Sequence, residues 1–308
     1  MSYYAIAHRL RDIPVEDLDR DFFDTLFYGS QAVENPDERA LSLHEEWDYW
    51  YPVDYRFSAN DLISNHLTFY LFHHAELFEP AQWPEGIVIM GMGLLEGEKM
   101  SSSKGHVVLP DAAIEEYGAD TVRFFLLNSA EPWQDYDWRD EQVGSVRDQL
   151  GRFWNRAQGI IRTETPSQPS LRPIDNWLLS RLQRTIQTVT TSLEAAETRT
   201  ASQAAFYDFE EDLRWYHRRT TQDRPGAQWI RQQVLSTRLR LLAPFIPFIT
   251  NELHEQLTGQ SAEMASWPAV DDNHINRPLE ASETQIGRLV DDIQDIQQSL
   301  SNADEYIP

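Results

Sequence analysis

The chain contains no cysteine among its 308 residues, which excludes a disulfide framework, a thiolate zinc site and a cysteine nucleophile. No apolar run reaches the ~18 residues needed to span a bilayer, and the N-terminus lacks the basic-then-apolar order of a secretory signal. A soluble, cytoplasmic protein with no membrane partner is the expectation. Lysine is nearly absent too: of the 26 basic residues, all are arginine except Lys99 and Lys104. Positive charge as a whole is outweighed, 50 Asp and Glu giving a formal net charge of −24. So much acid repels itself in dilute buffer, whereas at roughly 1 M salt the Debye length is about 3 Å and the repulsion is screened. A salt-rich cytosol fits this composition better than an ordinary acidic protein does.

A composition that has discarded lysine keeps it where an ammonium is required. Surface drift would scatter the survivors, yet both fall in the segment 99–104. That clustering marks the segment as a charge-dependent site.

With 41% hydrophobic and 12% aromatic residues the chain is long enough to bury a core and to divide into two or three domains. Residues 1–45 mix aromatic and acidic stretches, with Asp21, Gly29 and Pro36 punctuating short helical patterns. Asp61 then precedes an apolar run from Leu62 to Phe72 that predicts a mostly buried helix ending before Pro80. Gly86 to Gly91 encloses a β-branched run that reads as a buried strand, so the order suggests an α/β layer. From Asp111 the pattern turns helical, and Thr163 to Ser170 is the clearest linker. Beyond it Ile174, Trp177, Leu178, Leu182, Ile186, Val189 and Leu193 recur at helical spacing, predicting a helix bundle to about residue 260. The stretch after Trp267-Pro268 reads as a polar, weakly patterned tail.

Lys99-Met100-Ser101-Ser102-Ser103-Lys104-Gly105 follows the glycine-bounded strand and a turn at Gly97. Small hydroxyl residues and glycine let backbone amides approach an anion, and the flanking ammonium groups add mobile positive charge, a combination suited to a polyphosphate. A serine-rich surface loop is the alternative for so short a motif.

The segment resembles the signature loop of class I aminoacyl-tRNA synthetases, commonly written KMSKS. Tyr49-Trp50-Tyr51-Pro52-Val53-Asp54, followed by Asp61-Leu62-Ile63-Ser64-Asn65-His66-Leu67-Thr68-Phe69, is similar to the leucyl enzymes in particular, of archaeal, salt-adapted type. Val107-Val108-Leu109-Pro110 and Glu116 to Arg123 resemble the family's continuation towards the tRNA-stem region. Leu241 to Thr250 resembles a motif of the anticodon-binding domain shared by leucyl, isoleucyl, valyl and methionyl enzymes.

The resemblance implies a fold in two parts, an α/β partial Rossmann-like catalytic half followed by an all-α anticodon-binding helix bundle. Its implied divisions are a catalytic half over 1–129, stem-contact helices over 130–165, the bundle over 166–270 and a polar tail over 271–308. It implies that Lys99, Met100, Ser101, Ser102 and Ser103 bind ATP phosphates, with Lys99 and Lys104 clamping the departing pyrophosphate. Asp61 and His66 would face the adenosine, and Ser2, Tyr3 and Tyr4 would line the amino-acid pocket. From the residues alone, Asp61 caps its helix and His66 is a satisfied buried histidine. The implied reaction is ATP-dependent, Mg²⁺-accompanied activation of leucine and transfer to tRNA(Leu). It works by positioning and charge neutralisation, with no resident metal site and no nucleophilic side chain.

For tRNA, Arg147, Arg152, Arg156 and Arg162 lie along one predicted helix, while Arg214, Arg218 and Arg219 surround Trp215-Tyr216 as stacking candidates on another. Pairing of these arginines with neighbouring acids on solvated faces is the alternative. Ser102 stands where the family has its second signature lysine, and Ala59 where a glycine is common. The sequence holds no His-x-Gly-His, the family's first signature. The expectations are therefore a chain beginning inside the catalytic fold, half a nucleotide-binding sheet with an exposed edge, and activity that needs a separate N-terminal synthetase chain. A non-catalytic tRNA-binding remnant is the second function in view.

Overall fold

The computed structural model describes the backbone of residues 2–101, 105–164, 169–221 and 223–304, and their side chains except at 2, 3 and 298–304. Two compact units result, Met1–Met90 and Gly91–Pro308.

The first unit opens with three helices, α1 (Ser2–Leu10), α2 (Arg20–Tyr28) and α3 (Glu38–Trp50). Their starts are chemically marked: Asp19 accepts from the Phe22 amide at 2.9 Å, and Asp37 accepts from the Arg39 amide at 2.7 Å. α2 stops at Gly29, whose φ of 79° suits glycine. The helices close on a small core of Ile6, Phe22, Leu26, Ala40 and Leu43. Next come β1 (Tyr55–Ala59), α4 (Thr68–Leu77) and β2 (Gly86–Met90). β1 and β2 pair in parallel from Tyr55 opposite Gly86 to Ala59 opposite Met90, the strand–helix–strand unit expected of an α/β layer.

Two expectations are corrected here. The helix anticipated as mostly buried exposes Phe69 at 65%, Leu71 at 52% and Phe72 at 68%, while Leu67 and His74 are its buried positions. The β2 strand is half-buried rather than buried, four of its residues partly covered and Met90 exposed. Apolar patterning reports which residues want cover, not how much cover the fold supplies.

The second unit begins with β3 (Gly93–Leu95) and β4 (Glu98–Lys99), an antiparallel pair, and β5 (Tyr136–Trp138) lies parallel to β3 on its other edge. α5 (Pro110–Tyr117) and α6 (Ala119–Ser129) fall between them in sequence. Gly91 enters this sheet where any Cβ would strike the backbone carbonyl of Gln134. The remainder is helical: α7 (Asp140–Ile161), α8 (Pro173–Glu194), α9 (Thr198–Ser202), α10 (Phe209–Arg219), α11 (Pro225–Leu242), α12 (Pro247–Thr258) and α13 (Arg277–Asp304). The stripe anticipated on α8 is its inner face, Ile174, Trp177, Leu178, Leu182, Ile186 and Val189 all being buried. It packs with Leu235, Leu239, Leu242 and Phe206 into one continuous core. Burying each such side chain contributes roughly 1.5–3 kcal/mol before conformational entropy is counted.

The stretch read as a weakly patterned tail is largely α13, which docks on α8 through Glu280 and on α10 through Glu283, each 6% exposed. Glu280 accepts from the Ser180 hydroxyl and pairs with Arg184. Residues 165–168 of the anticipated linker lie outside the described residues. Among the described residues no helix is long and apolar enough to cross a membrane.

Candidate functional site

Lys99 ends β4, opposite Leu94, with its side chain exposed. The next side chain must point the other way. Met100 packs against the large core, and its amide donates to the Gly93 carbonyl at 3.3 Å. Ser101 and His106 then close the loop by exchanging backbone hydrogen bonds, 2.7 Å from the Ser101 amide to the His106 carbonyl and 3.1 Å in return. His106 Nε2 lies 3.0 Å from the Leu95 carbonyl, which can only accept, so this nitrogen carries the proton. Gly105, at φ 70°, makes the turn back into the bridge. A short loop is thus held at both roots, with one ammonium at its entrance. Ser102, Ser103 and Lys104 themselves lie outside the described residues.

The turn before Lys99 is pinned from β5. Asp137 accepts from the Gly97 amide at 2.8 Å and from Arg139 Nε at 2.7 Å, and these bonds, the amide's first, hold its carboxyl below the ordinary value. Asp135 likewise accepts from the Met92 amide at 2.7 Å. Sequence reading missed Asp135, Asp137 and His106. The two aspartates flank Tyr136 at a spacing of two, but a three-residue strand is too short for that period to stand out.

Asp61 and His66 belong to the first unit and are both exposed. Asp61 lies in a short 3₁₀ turn that has no side-chain cap, so the helix-capping reading is not what forms. His66 is not a buried histidine. Its Nε2 lies 3.3 Å from Arg56 Nη2, and since guanidinium only donates, this nitrogen accepts and the proton sits on Nδ1. Tyr4 is 76% exposed in the first turn of α1, and the side chains of Ser2 and Tyr3 lie outside those described.

The arginines divide into two groups. Arg156 pairs with Glu210 at 3.3 Å, Arg214 with Glu211 at 3.5 Å and Arg219 with Glu283 at 3.0 Å, as the acid-pairing alternative requires. Among the described residues Arg147, Arg152 and Arg218 take no carboxylate. Arg147 lies 5.8 Å over the Tyr117 ring and Arg218 5.5 Å over that of Trp215. Tyr216 cannot serve as a stacking platform, which corrects the sequence reading. It is fully buried, and its hydroxyl donates to Asp175 at 2.6 Å beside Arg224, burial holding the phenol far above its usual value. Trp215 is half-buried, with its indole NH on Glu283 at 3.0 Å. Among the described residues no group of three or more His, Asp and Glu is placed to hold a metal ion.

Two family motifs meet in the second unit. Asp120 accepts from the amides of Phe248 and Ile249 at 3.3 and 2.7 Å, at the start of α12, and Arg123 Nη2 donates to the Pro244 carbonyl at 2.8 Å. The segment that follows the signature loop is thereby fastened to the bundle.

Comparison with known families agrees with this arrangement. Residues 29–157 match the family model described as "tRNA synthetases class I (M)", and residues 175–305 match "Anticodon-binding domain of tRNA ligase". Among solved structures the fold is similar to an Agrobacterium radiobacter LeuRS in a ternary complex with tRNA and LeuAMS. That likeness has a TM-score of 0.62 and 22% identity over 83% of this chain and 33% of the other. It is also similar to a Mycobacterium tuberculosis methionyl-tRNA synthetase in complex with methionyl-adenylate, with a TM-score of 0.58 and 22% identity over 68% of this chain and 45% of the other. Two successive parts of the chain are thus similar to class I tRNA synthetases and to the anticodon-binding domain of tRNA ligases.

Within that class its relatives are leucine–tRNA ligases. It is 40% identical to that of Methanothermobacter thermautotrophicus over 100% of this chain and 33% of the relative. It is 41% identical to that of Pyrococcus abyssi over 96% and 32%. The chain therefore spans about a third of the length of the curated relatives it matches.

Proposed function

We propose that this chain provides the signature-loop half of the ATP site and the tRNA-binding helix bundle of a cytoplasmic leucine–tRNA ligase. In this reading 1–129 is catalytic, 130–165 contacts the tRNA stem, 166–270 is the anticodon-binding bundle, and the rest leads into a C-terminal extension. The observation that carries it is the loop closed by the Ser101–His106 bridge, with exposed Lys99 at its root and Met100 anchored in the core. Lys99, Met100, Ser101, Ser102 and Ser103 hold the ATP phosphates, and Lys99 and Lys104 clamp the departing pyrophosphate. Asp61 and His66 face the adenosine and the first turn of α1 faces leucine. Mg²⁺ accompanies ATP, with no protein ligand assigned to it. The tRNA is met by Arg147, Arg152 and Arg218, with Arg156, Arg214 and Arg219 already sharing carboxylates. A separate N-terminal synthetase chain, carrying the His-x-Gly-His signature, completes the enzyme.

The test is leucine-dependent pyrophosphate exchange by the enzyme completed in trans. Lysine clamps act on charge that moves onto pyrophosphate, so they favour the transition state over bound ATP. Lys99→Ala should slow adenylate formation by about 10²- to 10³-fold while tRNA binding stays unchanged. Lys104→Ala should cost at least as much, and Ser102→Lys should restore part of that loss. Unchanged exchange in Lys99→Ala would overturn the reading.

A further inference from the structure

A cavity of about 410 Å³ opens between α7, α10 and α11 of the second unit, remote in sequence from the signature loop. Its apolar wall includes Phe153, Ile160, Leu213 and Val234. Among the residues lining it are four guanidinium groups, Arg156, Arg214, Arg231 and Arg238, and one carboxylate, Glu210. In a chain of net charge −24 this is a local reversal of sign.

The pairing within the cavity is uneven. Arg238, 3% exposed, takes Glu210 at 2.8 Å and the carbonyls of Ala205 and Phe206 at 3.2 and 3.1 Å, so its charge is met. Arg214 leans out to Glu211 with both side chains largely exposed. Arg156 has only a share of Glu210, at 3.3 Å. Arg231 is half-buried, its Nε is buried without a hydrogen-bond partner, and among the described residues no carboxylate pairs with it. A desolvated guanidinium without an anion is costly, and its planar fork suits oxyanions. Two charges are thus poorly compensated beside an apolar wall, in a volume suited to one small ligand.

We propose that this cavity is a binding site for a free phosphate monoester with an apolar or aromatic body, the dianionic head on Arg231 and Arg156 and the body against Leu213 and Val234. A dianion matches the uncompensated charge, whereas a carboxylate supplies half of it. His217 also lines the cavity, and desolvation followed by the charge of Arg231 holds its imidazole below the ordinary value, with Glu210 opposing and Arg156 reinforcing. A dianion seated there raises it.

The experiment titrates the full chain with phenyl phosphate, benzoate and inorganic phosphate separately, followed by calorimetry and by the NMR resonances of the His217 ring. Phenyl phosphate should bind most tightly and shift the His217 titration upward. Arg231→Met should weaken it about 10- to 100-fold, the loss expected for one charge-assisted contact. If Arg231→Met fails to fold, Val234→Phe, which fills the cavity and keeps every charge, should abolish binding instead. Phenyl phosphate binding as well to Arg231→Met or Val234→Phe as to wild type, benzoate binding equally tightly, or a stationary His217 would each overturn the proposal. Displacement of bound phenyl phosphate by stoichiometric tRNA would also overturn it, assigning the pocket to an RNA nucleotide.

Discussion

Asp120 shows how much one carboxylate can organise. It is 7% exposed, and it meets two amide donors that α12 cannot satisfy within itself. Asp120→Ala should cost about 1–3 kcal/mol of unfolding free energy. Burial raises its carboxyl above the ordinary value, opposed by the Ile249 and Phe248 amides and by Arg123. The folded state therefore holds the proton more firmly than the unfolded chain. The contribution is fully present below the ordinary carboxylate range and is lost as pH rises through the raised value. Urea titrations of wild type and Asp120→Asn should show the wild-type margin shrinking as pH rises, and a margin that grows instead would refute this assignment. Nothing near Asp120 in sequence discloses its role, because its partners lie 128 and 129 residues away. Lys99 is the opposite case. It could be found from composition alone, since a rare residue marks its own position without help from the fold.

At the scale of elements, the start of α13 is held by polar contacts together with Leu279, which packs against the large core. Its inward positions near the start include Glu280 and Glu283, which bind Ser180, Arg184, Trp215 and Arg219. The apolar residues of this helix, Ile286, Leu289, Val290, Ile293 and Ile296, do recur at helical spacing, and the reading of this stretch as a tail passed over that stripe among the surrounding charges. Removing both carboxylates should release the helix from α8 and α10. The double variant Glu280→Ala, Glu283→Ala should lose amide-exchange protection in α13 while α8 keeps its own, since α8 is anchored by Leu178, Leu182 and Val189. Retained α13 protection would show that Leu279 and its neighbours suffice. The α8 stripe was legible because Ile174, Trp177, Leu178, Leu182, Ile186 and Val189 recur at helical spacing, although Asp175, Ser180 and Gln183 are buried beside them. The apolar run before Pro80 was misread as buried because its pattern is identical whether or not a second layer covers it. Tyr216 was misread for a related reason: Trp215 and Tyr216 are adjacent, and only the packing of α10 decides which ring turns inward.

Across the whole molecule, charge and core size set different vulnerabilities. The large core lies entirely within Gly91–Pro308, whereas the Met1–Met90 unit has five fully enclosed apolar residues in its own cluster. Net charge of −24 adds repulsion that both units feel and that salt screens. Thermal unfolding followed from about 0.1 M to about 1 M KCl should shift to higher temperature, and a shift to lower temperature would show that surface repulsion is not the limiting term. The order of a synthetase-like part followed by a helical anticodon-binding part was legible from ordered motifs, while the bond between its motifs was not. That bond has a further consequence for how the family can vary. Asp120 grips main-chain amides, so Phe248, 69% exposed, is free to become any residue except proline without disturbing its partner. Selection acts on one end of the contact only. Two distant segments are thereby joined by an interaction that correlated substitution across relatives cannot record.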